Sequence, residues 1–253
     1  LTLTLLSCNE ADEKLYYNSG NPKQFDFYSN EDKPDSSIFY YDHYKHPVKR
    51  QQFWNDSTSY VKNYSKEGLL TGEGYYNNGS NRIGKWTYYS NDTIKVFEYK
   101  NIRGEEYLNQ NWIKNSKGDT IGGHYYSLRT KDTINVNEII NLRFFLESPI
   151  LSPDSELLLL LPETSKSFSS DFSDEYRIEV DTILNLKHDS LNNHLKELPL
   201  NHMLMVNLEF ATTGKKRVRG ILKETYKKTF KDSTYLKVRN SYVDKTFIVT
   251  KNM

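Results

Sequence analysis

The feature that most constrains this chain is a period-two alternation of apolar and polar residues over its second half. Ile140, Leu142, Phe144 and Leu146 alternate with Asn141, Arg143 and Phe145, and Leu204, Val206, Leu208 and Phe210 alternate with Met205, Asn207 and Glu209. Tyr176, Ile178 and Val180 alternate with charge, Val218 and Leu222 with basic residues, and Leu236 with Val238 and Phe247 with Val249 close the series. Successive side chains of a strand point to opposite faces, so this pattern predicts sheets covered on one face. Thr212-Thr213-Gly214 is read as a hairpin between two of the strands. Asp189-Ser190 is read as the cap of one or two helical turns, with Leu191, Leu195 and Leu198 on one face and Pro199 as the stop.

The first half has another chemistry. Sixteen of the 20 tyrosines, all three tryptophans and ten of the 12 glycines precede residue 131. Leucine concentrates after residue 140. Two cores of such different composition predict two domains, divided near residues 130 and 131. In the first, Trp54-Asn55-Asp56-Ser57, Asn77-Asn78-Gly79, Ser90-Asn91-Asp92 and Lys117-Gly118-Asp119 are turn sequences, because Asn, Asp and Gly tolerate positive φ. Between them lie Gly74-Tyr75-Tyr76, Lys85 to Tyr89, Thr93 to Tyr99 and Gly123 to Tyr126, so a β-meander of hairpins is predicted over 38–130. Residues 9–37 are polar, with Asn18-Ser19-Gly20, Pro22 and Pro34, and read as a solvated tether. The fold class expected is all-β.

Three resemblances sharpen these expectations. Gly72-Glu73-Gly74-Tyr75-Tyr76-Asn77-Asn78-Gly79, followed by Ile83-Gly84-Lys85-Trp86-Thr87-Tyr88-Tyr89, resembles the MORN-variant repeat, whose unit is a β-hairpin. On that reading Asn78-Gly79 closes the hairpin, Gly84 admits close strand approach, and Trp86 and Tyr88 share one face. The seven or eight short strands of 131–253 fit an Ig-like β-sandwich, without the Cys…Trp…Cys core of antibody domains. Its opening Asp132-Thr133-Ile134 with Glu138, and its close Tyr242 to Phe247, are similar to sandwich domains of Bacteroidetes surface lipoproteins. Leu5-Leu6-Ser7-Cys8 resembles a bacterial lipobox. Residues 1–8 are thus read as the end of a signal peptide whose front lies upstream, with Cys8 as the lipid acceptor. That implies an anchor in a Gram-negative envelope, at the outer membrane.

Little in the sequence calls for catalysis. No nucleophile elbow, phosphate loop or dinucleotide fingerprint occurs. His43-x-x-His46 stands before Pro47 in a turn-rich stretch and has no third ligand at metal-site spacing. His188 and His194 flank the short helix. Glu105-Glu106, and Asp171 with Asp174-Glu175, are the acidic pairs to weigh as a glycosidase's acid and base. Lys215-Lys216-Arg217 with Arg219 is a basic cluster. With Lys plus Arg at 34 against Asp plus Glu at 33, net charge does not ask for nucleic acid. Tyr75, Tyr76, Trp86, Tyr88, Tyr89 and Trp112 are the candidate binding face, either as the sheet's own packing or as a platform for a protein or glycan. The expectation is a non-enzymatic binding or scaffold lipoprotein with no cofactor or metal. The alternatives are a carbohydrate-active enzyme or its accessory module, and an antitoxin-like MORN-variant protein.

Overall fold

The structure is a computed structural model that describes residues 11–29, 33–43, 45–55, 57–77, 80–163, 166–189, 198–230 and 233–251. Cys8, His194, the Asn78-Gly79 turn and the helical turns expected after Asp189 lie outside the described residues. The chain is all-β, as the alternation requires. The first strands are β1 (Glu13–Tyr16), β2 (Pro22–Phe27), β3 (Ser36–Phe39), β4 (Lys49–Asn55), β5 (Thr58–Tyr64), β6 (Leu70–Asn77), β7 (Asn81–Tyr89), β8 (Thr93–Ile102), β9 (Glu105–Asn115) and β10 (Thr120–Arg129). They are followed by β11 (Thr133–Asn135), β12 (Ile140–Ser148), β13 (Glu156–Pro162), β14 (Val180–Leu184), β15 (Met203–Leu208), β16 (Gly214–Phe230) and β17 (Ser233–Thr250). Contacts divide the chain into two compact units. One is Leu1–Asn101 with Glu105–Leu108 and Ile113–Ile121; the other is Ile102–Gly104, Asn109–Trp112 and Gly122–Met253.

In the first unit each strand from β1 to β8 pairs antiparallel with the next. The tether expected over 9–37 is corrected here, because β1, β2 and the start of β3 fall within it. The polar residues of this stretch sit on a paired backbone. Asp26 is buried and accepts both hydrogen bonds from the Gln24 amide, while the Phe25 ring lies 6.0 Å from Tyr16 and 5.5 Å from Tyr40. Gly20, at φ +85°, closes the β1–β2 turn, where a side chain would strain the backbone.

The second unit is a β-sandwich. One sheet has the order β10-β12-β15 and the other β11-β17-β16-β13-β14, with only β11 and β17 parallel. The period-two pattern sets the core: Leu142, Phe144 and Leu204 face inward from one sheet, and Leu157, Leu159 and Phe247 from the other, all at most 1% exposed. Each such side chain contributes roughly 1.5–3 kcal/mol by leaving water. Asn109 Oδ1 accepts from the Tyr242 backbone N–H at 2.6 Å and its Nδ2 donates to the Tyr242 carbonyl at 3.1 Å, so one buried amide satisfies both backbone groups of a strand residue.

Three local expectations are corrected. β10 lies before residue 131 yet belongs to the sandwich: Leu128 pairs with Phe144, Tyr126 with Leu146, and both pack on its core. Its two tyrosines gave it the composition of the first half. Thr212-Thr213-Gly214 is not a hairpin but a crossing between sheets, since β15 pairs with β12 while β16 pairs with β13 and β17. Tyr176 to Ile178 is a run of turns, not a strand. There Asp174 accepts the Ser169 N–H and hydroxyl, and Tyr176 is 80% exposed.

A fragment beginning at Ile102 should therefore fold alone, with a β-type circular dichroism spectrum and a cooperative melt. A fragment beginning at Lys131 loses β10 and the Asn109 bracket and should melt at least 10 °C lower, or not fold, since about 1 kcal/mol moves a domain of this size by several degrees. Equal midpoints for the two would show that β10 is not part of the sandwich.

Candidate functional site

The six aromatic candidates do not form one face. Tyr76, Trp86 and Tyr88 lie on a packed face, Tyr75 and Tyr89 on an open one, and Trp112 belongs to the second unit. Strand register explains the division. β5 and β6 pair Val61 with Gly74 and Tyr60 with Tyr75, and β6 and β7 pair Gly72 with Tyr88 and Glu73 with Thr87. Neighbouring partners point the same way, so Val61, Tyr76, Trp86 and Tyr88 share one face and Tyr60, Glu73, Tyr75 and Tyr89 the other.

On the packed face the indole of Trp86 is 1% exposed and lies on the backbone of Gly74. A Cβ at Gly74 would come 2.5 Å from Trp86 Cγ, and one at Gly72 would come 3.1 Å from Tyr88 Cδ1. The two glycines of Gly72-x-Gly74 are seats for the two rings of Trp86-x-Tyr88. Gly84 does not admit the close approach expected of it: nothing lies within 4 Å of its Cβ direction, and its φ of +65° is what requires glycine. Trp86 Nε1 donates to the Tyr75 carbonyl at 2.8 Å, Tyr76 meets the indole edge-on at 4.8 Å, and Tyr88 stacks at 6.0 Å. Arg82 closes the face: its guanidinium lies 4.1 Å above the Tyr99 ring, grips Glu106 and donates to the Tyr88 hydroxyl at 2.8 Å. Burial would raise the Glu106 carboxyl, but the hydrogen bonds from Arg82 outweigh it and hold its pKa low.

The open face carries a cluster around Glu73. Tyr60 donates its hydroxyl to Oε2 at 2.6 Å, Tyr89 donates to Oε1 at 2.5 Å, and Lys62 Nζ stands 3.6 Å from Oε2. The Tyr60 and Tyr75 rings are 4.9 Å apart. The phenol hydrogen bonds hold the Glu73 carboxyl below its usual range, and the same carboxylate pushes Tyr89 up to about 12. All five side chains remain partly exposed. Tyr60 and Glu73 were missed in the sequence because they sit outside the Gly-x-Trp-x-Tyr-Tyr motif; the register that brings them beside Tyr75 and Tyr89 is a pairing between strands. Trp112 belongs to the second unit, with its ring 5.8 Å from Tyr125.

The second unit holds a buried polar network that no motif announced. Glu224, 2% exposed, accepts from the backbone N–H of Ile150 and Leu151 and from the Ser155 hydroxyl at 2.8 Å. His202 Nε2 lies 3.2 Å from Ser155 Oγ. A nucleophilic triad would place the carboxylate on the histidine and the serine in the open. Here the serine proton goes to Glu224 and Ser155 is wholly buried, so the network anchors the 149–155 loop. His124 Nδ1 bonds the Ser148 carbonyl at 3.0 Å, while its Nε2 is buried without a hydrogen-bond partner. Burial pushes both His124 and His202 below the ordinary histidine value.

The remaining candidates are held in local structure. His43 bonds Asn21 and Asp42, the His46 ring lies against Gly68, and His188 pairs with Glu156. Asp171 caps the turn at Ser173, and Glu175 takes the Tyr242 hydroxyl and Arg103. No group of three or more His, Cys, Asp or Glu side chains suited to a metal occurs among the described residues. Arg217 and Arg219 share Asp244, and with Lys166, Lys216, Leu161, Leu208, Phe210 and Val218 they line a cleft of about 250 Å³. No family model, curated protein or solved structure matches the chain.

Trp86→Ala should lower stability by about 3–5 kcal/mol in urea unfolding, as for other buried aromatics, whereas Tyr89→Ala should fall under ~1 kcal/mol. Equal effects would mean that the indole is not the packed element. The histidines set a pH dependence. Their folded pKa values lie below the unfolded value, so the unfolded chain takes up protons first, and stability falls as pH drops below about 6.5. Urea midpoints between pH 7.5 and 5 should decline, and His124→Phe should flatten the slope. An unchanged slope in that variant would remove His124 from the account.

Proposed function

We propose that this chain is a non-enzymatic binding module held at a Gram-negative envelope through lipid on Cys8, and that it receives a glycan on the open aromatic face. The observation that carries the reading is the clamp of Tyr60 and Tyr89 on Glu73 beside Tyr75. Aromatic rings stack on the C–H faces of sugars, and a fixed carboxylate accepts sugar hydroxyls. The clamp holds the rings before ligand arrives, which lowers the ordering entropy of binding. Lys62 and Glu73 add one donor and one acceptor at the edge of the rings.

Two further observations support binding over catalysis and over a protein scaffold alone. Glu106, Asp171, Asp174 and Glu175 are each engaged by neighbours that fix local structure. The packed face, with Trp86 and Tyr88, already gives the sheet its cover and leaves the Tyr60–Glu73–Tyr89 face for a ligand. The lipid anchor rests on the lipobox resemblance alone, and the MORN-variant and Ig-like resemblances agree with the hairpin over 72–89 and with the sandwich.

Affinity electrophoresis in gels containing soluble polysaccharides should retard the chain. Tyr75→Ala should abolish the retardation while changing the melting temperature by less than about 3 °C, the shift of well under 1 kcal/mol expected of a surface change. Retardation that survives Tyr75→Ala and Tyr60→Ala would sink the glycan reading. Export with a complete signal peptide should give membrane partition and fatty-acid labelling, both lost in Cys8→Ser; a cytosolic, unlabelled wild type would sink the anchor.

A further inference from the structure

The β16–β17 hairpin outruns the sheet that carries it. β13 pairs with β16 only from Ile221 to Thr225, whereas the β16–β17 ladder continues to Phe230 and Ser233. Beyond Thr225 the hairpin is a two-stranded ribbon. Described residues 227–229 and 233–238 are exposed on both of its faces. An isolated ribbon is marginal in water, and a sheet extension without a packing partner is normally selected against unless its surface is used.

The surface of this ribbon is unusual in two ways. Among the described residues of 226–238 the charged side chains are Lys227, Lys228 and Lys237, all exposed and all of one sign. The ribbon also exposes Tyr235 at 59%, Leu236 at 65% and Val238 at 47%. Register places Lys227 opposite Leu236, Lys228 opposite Tyr235 and Lys237 opposite Tyr226, so Leu236 and Tyr235 each face a lysine across the strands, while Val238 lies opposite Thr225.

We propose that this ribbon is a membrane-contact finger that binds anionic lipid bilayers. Leu236 and Val238, on one face of the ribbon with Lys227, enter the acyl boundary, while the Tyr235 ring, on the other face with Lys228 and Lys237, sits at headgroup level where the lysines meet phosphates, the division of labour that interfacial segments use. A nucleic acid or an anionic polysaccharide would satisfy the lysines but gives the exposed leucine and valine nothing to enter, and so the combination favours lipid. The contact is independent of any lipid on Cys8.

The test uses the chain of residues 1–253 with Cys8→Ser, so that no acyl anchor contributes. Vesicles of phosphatidylcholine with 30% phosphatidylglycerol should sediment it at least tenfold more strongly than pure phosphatidylcholine. Lys227→Glu with Lys228→Glu and Lys237→Glu should remove that binding. Leu236→Ser with Val238→Ser should weaken it severalfold, and Tyr235→Trp should show a blue-shifted emission on the anionic vesicles only. Lys227, Lys228, Leu236 and Lys237 lie beyond the last row paired to β13, and Val238, in that row, is 47% exposed, so unchanged melting checks that the fold is intact. Failure of wild type to sediment, equal binding to both vesicle types, or binding indifferent to the serine substitutions would each overturn the proposal. Heparin binding with no vesicle binding would assign the ribbon to polyanions and overturn it as well.

Discussion

A β-sheet satisfies its backbone by pairing, but pairing leaves two faces, and at least one has to be kept from water. That constraint governs both units of this chain, and each meets it differently. The sandwich covers one sheet with another: Leu142, Phe144 and Leu204 meet Leu157, Leu159 and Phe247. In the first unit the cover is made from rings laid across the strands. Trp86 can reach 1% exposure there because Gly74 offers bare backbone as a floor and Tyr76 and Tyr88 form its walls. The glycines weaken their strand in isolation, and the seated rings offset that loss.

The same constraint explains the chemistry that is left over. With Trp86 and its neighbours on one face, period-two geometry sends Tyr60, Glu73, Tyr75 and Tyr89 to the other. Phenol hydroxyls at a half-wet surface bond water or a fixed acceptor. Here Glu73 is the acceptor, and two hydrogen bonds hold both rings. Glu224 is the contrasting case. It points into the interior, and its burial is tolerable because two backbone N–H groups and the Ser155 hydroxyl satisfy it. One carboxylate thus organises a surface and another fixes a loop, and exposure decides which.

How much of this was legible follows from the range of each interaction. The all-β class, the pairing of β6 with β7 and the inward residues of β12 and β15 follow from side-chain alternation. Trp86 and Tyr88 were placed on one face for the same reason. What depends on pairing between distant segments was hidden. β10 shares the tyrosines of its neighbours, and only its pairing with Phe144 and Leu146 assigns it to the sandwich; Gly214 has hairpin composition, but its strand joins another sheet. The polar stretch before Ser36 gave no sign of strands, because backbone pairing and the buried Asp26 with its Gln24 partner do the work that apolar side chains do elsewhere. The Ser155, His202 and Glu224 constellation is contributed by segments 47 and 69 residues apart from the serine, which no local motif encodes.

Whole-chain charge was the least informative quantity of all, and the reason is physical. Lys plus Arg exceed Asp plus Glu by one, which argues against attraction to any polyanion only if charges are spread evenly. They are not: residues 226–238 hold four of the 34 basic residues and one of the 33 acidic ones. At physiological ionic strength an exposed charge is felt over about 8 Å, a distance far shorter than a strand of this length. A surface approaching the ribbon therefore meets the ribbon's charge and not the protein's. The neutral sum describes solubility, while the local excess, together with Leu236 and Val238, describes what the ribbon can touch.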